Sequence, residues 1–64
     1  MSAYDLYVSV KKPELGIYVR TGTGLPDFAR PDEWVYDGTA PQDILPPKVV
    51  EDVEANGHAF RELD

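Results

Sequence analysis

Hydrophobic and polar residues alternate along two segments near the N-terminus, residues 3–10 and 15–21. A period of two, together with β-branched side chains, predicts two strands that each bury one face. The four residues between them, 11–14, suit a hairpin loop. The positions that we expect to face the core are Tyr4, Leu6, Val8 and Val10 in the first strand and Leu15, Ile17 and Val19 in the second.

The register of this hairpin decides which side chains share a face, because a slip of one residue moves every side chain to the opposite face. A four-residue loop that keeps the apolar faces together pairs Val8 with Ile17. The same register places Tyr7 opposite Tyr18 on the other face, with Arg20 beside them. We therefore predict that Tyr7, Tyr18 and Arg20 form an outward-facing cluster.

The rest of the chain predicts a loop, a short strand, a helix and a last strand. Residues 22–32 are rich in turn-forming residues, and residues 33–37 form an aromatic strand that ends at an Asp-Gly turn. Two prolines open a helix over 46–56, three valines form its apolar stripe, and the glycine after Asn56 ends it. Residues 58–63 complete the sheet.

These elements predict the α+β class: a small antiparallel sheet in the order β-β-β-α-β, with one C-terminal helix packed on one face. The 64 residues allow a single small domain over 1–64. Trp34 is expected in the core, because so small a domain has few large side chains to fill it.

Composition narrows the compartment and the partners. The chain has no cysteine and no long apolar run, so we expect a cytoplasmic protein without a membrane segment. The formal net charge is −6, and residues 32–64 carry nine acidic and two basic side chains, a net charge of −7. Nucleic acid and anionic lipid are bound by cationic side chains, so this charge disfavours direct contact with either.

The sequence lacks the residue patterns of common catalytic and metal sites. His58 is the single histidine, and the two serines, Ser2 and Ser9, lie at the terminus and within a strand, which gives a serine triad no basis. Zinc would need a second histidine or a cysteine, and no calcium-loop pattern occurs. We expect His58 to cap the helix or face solvent, and so small a domain to form no catalytic cleft. We predict no enzyme, no metal and no cofactor.

Seven aromatic side chains among 64 residues favour a binding function. An exposed cluster of Tyr7, Tyr18 and Arg20 has the residue chemistry of a protein-binding hot spot. We therefore predict a small acidic protein-interaction module or accessory subunit that binds a protein partner through this sheet face. The other interpretations are that the 22–32 loop or a dimer mate covers this face, or that the tyrosines only stabilise the small sheet.

Two further predictions concern the partner. An acidic mimic of nucleic acid, which inhibits a nucleic-acid-binding protein, is the alternative function, because the charge of residues 32–64 could imitate phosphates. Binding that weakens steeply with salt would distinguish this mimic from the interaction module. The open edges of a small sheet also predict a homodimer, formed through an edge strand or through the tyrosine face.

Overall fold

Four antiparallel strands form one sheet in the computed structural model, which describes residues 3–63. The order of the strands across the sheet is β3-β1-β2-β4, so β3 and β4 are the two edges. The predicted α+β class and element order are confirmed. The elements are β1 (Ala3–Ser9), β2 (Leu15–Arg20), β3 (Trp34–Pro41), a short 3₁₀ helix (Gln42–Ile44), α1 (Pro47–Asn56) and β4 (Ala59–Glu62).

The predicted register of the first hairpin is wrong by one residue. Leu6 lies opposite Tyr18, and Tyr7 lies opposite Ile17. The reason is the loop, because β1 ends at Ser9 and β2 begins at Leu15, which leaves five connecting residues instead of four. The Ser9 hydroxyl accepts a hydrogen bond from the Lys12 N–H (3.1 Å), and the Leu15 N–H donates to the Lys12 carbonyl (2.8 Å). This longer loop shifts the pairing and changes which side chains share a face.

The sheet therefore has two differently composed faces. The helix face, which α1 covers, contains Tyr4, Tyr18 and Ala59. The opposite side, named here the aromatic face, contains Tyr7, Ile17, Val19, Tyr36 and Phe60. Ile17 and Val19 are fully buried there, and Tyr18 is buried on the helix face. The expectation that β2 buries only one face is wrong, because its side chains are buried on both faces of the sheet.

Helix α1 begins and ends where the sequence predicts. Pro46 is the N-cap residue and Pro47 opens the first turn, where a missing N–H breaks no helical hydrogen bond. The buried side chains of the helix are Val49 and Val53. They pack with Leu45 against the helix face of the sheet, so tertiary packing stabilises a helix whose valines are poor helix formers.

The predicted turn at Asp37 and Gly38 is instead a bulge within β3. The pairing of β3 with β1 shifts by one residue at this point, and the strand continues to Pro41. Gly38 has a φ of 135°, which a residue with a side chain adopts only with strain. A bulge of this kind inserts one residue without ending the strand, which the Asp-Gly pair alone does not reveal.

Replacing Gly57 with alanine should lower the free energy of unfolding by about 1 kcal/mol. Gly57 ends α1 with a φ of 84°, and its N–H donates to the Val53 carbonyl (2.7 Å). An added Cβ would meet no atom within 4 Å, so the cost is that of the left-handed backbone alone. Urea unfolding measures it, and Gly57→Asn is the control, since asparagine tolerates this conformation better. Equal stability of wild type and Gly57→Ala would contradict this explanation of the helix end.

Candidate functional site

The three residues of the predicted outward cluster do not form a common surface. Tyr18 lies on the helix face with 5% of its surface exposed, and its hydroxyl accepts a hydrogen bond from Arg61 Nη1 (3.3 Å). Arg20 is an exposed residue at the end of the same face, where its guanidinium forms an ion pair with Glu54 of α1. Tyr7 lies on the opposite face and is partly buried. The predicted pairing of Tyr7 with Tyr18 is wrong because of the register shift.

Four other rings meet on the aromatic face, and we name them the aromatic cluster: Phe28, Trp34, His58 and Phe60. Phe28 contacts both His58 and Phe60, with ring centroids 4.8 and 5.9 Å apart. His58 and Phe60 are in edge contact at 5.4 Å, and Trp34 lies 6.4 Å from Phe60. His58 was expected to cap the helix or face solvent; Gly57 is the C-cap residue instead, and the half-buried ring of His58 packs against both phenyl rings.

The sheet positions Trp34 and Phe60 from opposite edges. Phe60 is opposite Ile17 on β4, whereas Trp34 begins β3 opposite the small side chain of Ser9. The outer strands of a four-stranded sheet are about 14 Å apart, so the two rings must lean toward each other above the inner strands. Trp34 is thus partly buried on the aromatic face, and its predicted place in the core is wrong.

The connection between β2 and β3 supplies Phe28. Ala29 beside it is buried, and the Ala29 N–H donates to the Pro26 carbonyl (2.9 Å) in a tight turn. The 22–32 loop therefore covers part of the aromatic face, at His58 and Phe60 rather than at the two tyrosines for which this covering was predicted. Phe28 itself remains 58% exposed and Phe60 remains 49% exposed. The loop thus covers the aromatic face incompletely, and the rings of Phe28 and Phe60 remain in contact with solvent.

A second pair of rings extends the aromatic face toward β3. Tyr7 and Tyr36 lie opposite each other and meet edge to face, with centroids 5.7 Å apart. The buried Asp5 carboxylate next along β1 accepts hydrogen bonds from the hydroxyls of Thr39 (2.7 Å) and Thr21 (3.4 Å). Because hydroxyl donors satisfy this buried acid, it acts as a structural group of the sheet.

Charged side chains border the aromatic cluster. Near Trp34, Glu33 is paired with Lys11 (3.3 Å), and Asp32 is paired with Arg30 (3.4 Å). Glu62 points to the same face as Phe60, two residues along β4, and Asp27 is adjacent to Phe28 in the chain. Within residues 3–63, neither Asp27 nor Glu62 has a cation within ion-pair distance. Among the described residues, the cluster therefore has two neighbouring carboxylates without a cationic partner.

The surface of residues 3–63 also carries concavities large enough for a small ligand, which the small size of the domain led us not to expect. The larger is a groove of about 850 Å³ between the N-terminal half of α1 and the ends of β1 and β3. The smaller, about 310 Å³, lies beside His58 and contains one carboxylate, that of Asp27. The larger groove is lined by Ala3, Pro41, Gln42, Asp43, Leu45, Pro47, Val50 and Glu51. A catalytic centre would need a nucleophile or a paired acid and base, and this lining has neither a histidine nor a hydroxyl or thiol nucleophile.

In residues 3–63, no three histidine, aspartate or glutamate side chains converge in an arrangement that could bind a metal ion. The helices of this same range are too short and too polar to cross a bilayer.

The chain matches no protein family, no curated protein and no solved structure. Its surface chemistry is therefore the basis on which a function can be argued. The most distinctive part of that surface is the aromatic cluster, of which sequence reasoning missed Phe28 and Phe60. Phe60 could have been found from the predicted last strand, but Phe28 lies in an aperiodic loop that gives no signal.

Proposed function

We propose that this chain is a small, non-catalytic protein-interaction module that binds a protein partner through the aromatic cluster. The observation that carries the proposal is the pair of half-exposed phenyl rings, Phe28 and Phe60, held against a rigid base. Fully buried Ile17 and Val19 lie in the sheet beneath this face, and His58 packs against both rings. Exposed aromatic groups of this kind are typical of binding sites.

The packing of the cluster favours binding, because its side chains are already ordered and lose little conformational entropy when a partner binds. Each ring of the cluster contacts at least one other ring, so a partner would order few additional side chains. The carboxylates of Asp27 and Glu62 and the net charge of −6 favour a partner whose contact surface is apolar and basic. Lysine or arginine side chains of such a partner could also stack on the exposed rings.

The alternative, an acidic mimic of nucleic acid, has less structural support. Four of the nine acids that give residues 32–64 their charge are paired within the fold: Asp32 with Arg30, Glu33 with Lys11, Asp52 with Lys48, and Glu54 with Arg20. Paired carboxylates present less negative charge to a phosphate-binding groove. A mimic should lose roughly a thousandfold or more in affinity between about 50 and about 200 mM salt, whereas an aromatic interface should change far less.

The exposed Phe28 gives the sharpest test of the interaction module. Immobilised wild-type chain should capture a specific protein from a lysate of the cells that express it, to be identified by mass spectrometry and then purified. With that purified protein, Phe28→Ala should raise the Kd about tenfold or more, because truncated aromatic hot spots cost at least that much.

Ile44→Ala is the matched control for this experiment. Ile44 is also a large apolar residue, 68% exposed, but it lies in the 3₁₀ helix and outside the aromatic cluster. The proposal expects wild-type affinity from Ile44→Ala, and circular dichroism should show that both variants are folded under the conditions of the binding measurement. Wild-type affinity of Phe28→Ala, or an equal loss in both variants, would refute binding through the aromatic cluster.

A further inference from the structure

Strand β4 is an edge of the sheet, and its outward backbone groups have no partner within residues 3–63. The Leu63 N–H donates to the Glu14 carbonyl (2.6 Å), which fixes the alternation of hydrogen bonds between β4 and β2. Odd-numbered residues of β4 therefore point their backbone groups toward β2, and Phe60 and Glu62 point theirs away from the sheet. Among residues 3–63, no backbone group pairs with these outward positions.

The other edge, β3, carries features that oppose pairing. Its bulge at Asp37 disturbs the line of backbone groups, and Pro41 has no N–H to donate. Strand β4 has no bulge, no glycine and no proline. Its one cationic residue, Arg61, donates a hydrogen bond to the Tyr18 hydroxyl on the helix face, so its charge does not oppose pairing at the edge.

We propose that two copies of this chain associate by pairing β4 antiparallel to β4, with Phe60 opposite Phe60 on the two-fold axis. This register places His58 of each copy opposite Glu62 of the other, on the same face as Phe60. An imidazole N–H facing a carboxylate and two stacked phenyl rings are both favourable cross-strand pairs. The pairing is isologous, so the His58–Glu62 contact occurs twice, and the Phe60 pair on the axis occurs once.

Other registers of the same strand are less favourable. The outward backbone groups allow shifts of two residues only. A shift toward the C-terminus places Arg61 opposite Arg61, and a further one places Glu62 opposite Glu62, which are like-charge pairs. A shift toward the N-terminus extends the pairing into Gly57, where α1 ends. The sequence of β4 is therefore most complementary to a second copy when Phe60 is central.

The dimer would join the two sheets into one of eight strands, with both aromatic clusters on the same side. The inference deepens the proposed function by making a second copy one partner of the surface that includes Phe60. It does not require a different protein partner. Self-association of the purified chain can therefore fail while binding to another protein survives, and the reverse also holds.

Charge reversal across the proposed pair tests the register. Sedimentation equilibrium of the wild-type chain at about 100 μM should detect a dimer. Glu62→Lys places a cation opposite His58, and His58→Glu places a carboxylate opposite Glu62. Each single variant should raise the dimer Kd about tenfold, because both symmetric contacts are lost. Mixing the two variants should restore association, since one contact of the mixed dimer is the original pair of His58 and Glu62 and the other joins the introduced lysine to the introduced glutamate. A monomeric wild type, or a mixture no tighter than the single variants, would overturn the proposal.

A cross-link provides a test that does not depend on these charges. The chain has no cysteine, so Phe60→Cys introduces a single thiol at the proposed axis. Opposed residues of a hydrogen-bonded pair have Cα atoms about 5.5 Å apart, within disulfide range. Tyr36→Cys on the β3 edge is the matched control, because Tyr36 is 54% exposed and Phe60 is 49% exposed. Mild oxidation should link the Phe60→Cys copies alone, and equal linkage of both variants would contradict pairing through β4.

Discussion

Tyr18→Ala should lower the free energy of unfolding by about 3–5 kcal/mol. Tyr18 is the buried centre of the helix face, where it packs with Val49 and Val53 of α1 and with Ala59 of β4. Removing its ring leaves a cavity that the sheet and helix cannot readily close. A domain of this size has a total stability of about 3–5 kcal/mol, so the variant should be largely unfolded at room temperature. Circular dichroism and urea titration measure the loss.

Tyr18→Phe is the control for that measurement. It keeps the ring and removes the hydroxyl that accepts the hydrogen bond from Arg61, so a loss of about 0.5–1.5 kcal/mol is expected. The comparison separates ring packing from the hydrogen bond. If Tyr18→Ala changed the stability by less than about 1 kcal/mol, the ring would be solvent-exposed, as the original hairpin register implied, and the described helix face would be incorrect.

Ile17→Ala should cost about 2–5 kcal/mol of unfolding free energy. Ile17 is fully buried although it points away from α1, opposite Tyr7 on one side and Phe60 on the other. Its burial depends on the covering of the aromatic face by the β2–β3 connection and its rings. The same substitution should therefore also loosen the aromatic cluster, and the near-ultraviolet circular dichroism of the still-folded fraction should weaken.

Val10→Ala is the control for Ile17→Ala, because the sequence predicted that both side chains would be buried. The alternation in the sequence places Val10 on the buried side of the first strand, but it lies beyond the end of β1 and is exposed. Surface substitutions of this kind change stability by about 0.5 kcal/mol or less. A larger loss from Val10→Ala than from Ile17→Ala would support the original register and contradict the observed one.

The elements of the fold were predictable because their signals are local. Pro47 at the first turn and Gly57 after the last determine where α1 begins and ends, and the valine stripe determines its buried side. The register was not predictable, since it depends on whether Ser9 or Val10 ends the first strand. One sequence signal of the outcome existed: Ile17, Tyr18 and Val19 are three consecutive apolar residues, a pattern typical of a strand buried on both faces.

The aromatic cluster was harder to predict than the fold. Its members come from a loop, from the first residue of one edge strand and from the other edge strand. Trp34 and Phe60 come from opposite edges of the sheet, and their rings approach each other above β1 and β2, where Ser9 opposite Trp34 has a small side chain. The order of the strands is a property of the whole sheet and cannot be predicted from local patterns in the sequence.

The separation of Tyr7 and Tyr18 onto opposite faces is the central claim, because both the buried helix face and the aromatic cluster follow from it. Nuclear Overhauser effects between Hα protons test it most directly. Leu6 and Tyr18 form a non-hydrogen-bonded pair, with Cα atoms about 4.5 Å apart, so a strong Hα–Hα effect between them is expected. A strong Hα–Hα effect between Tyr7 and Tyr18 instead would place both rings on one face and contradict the account.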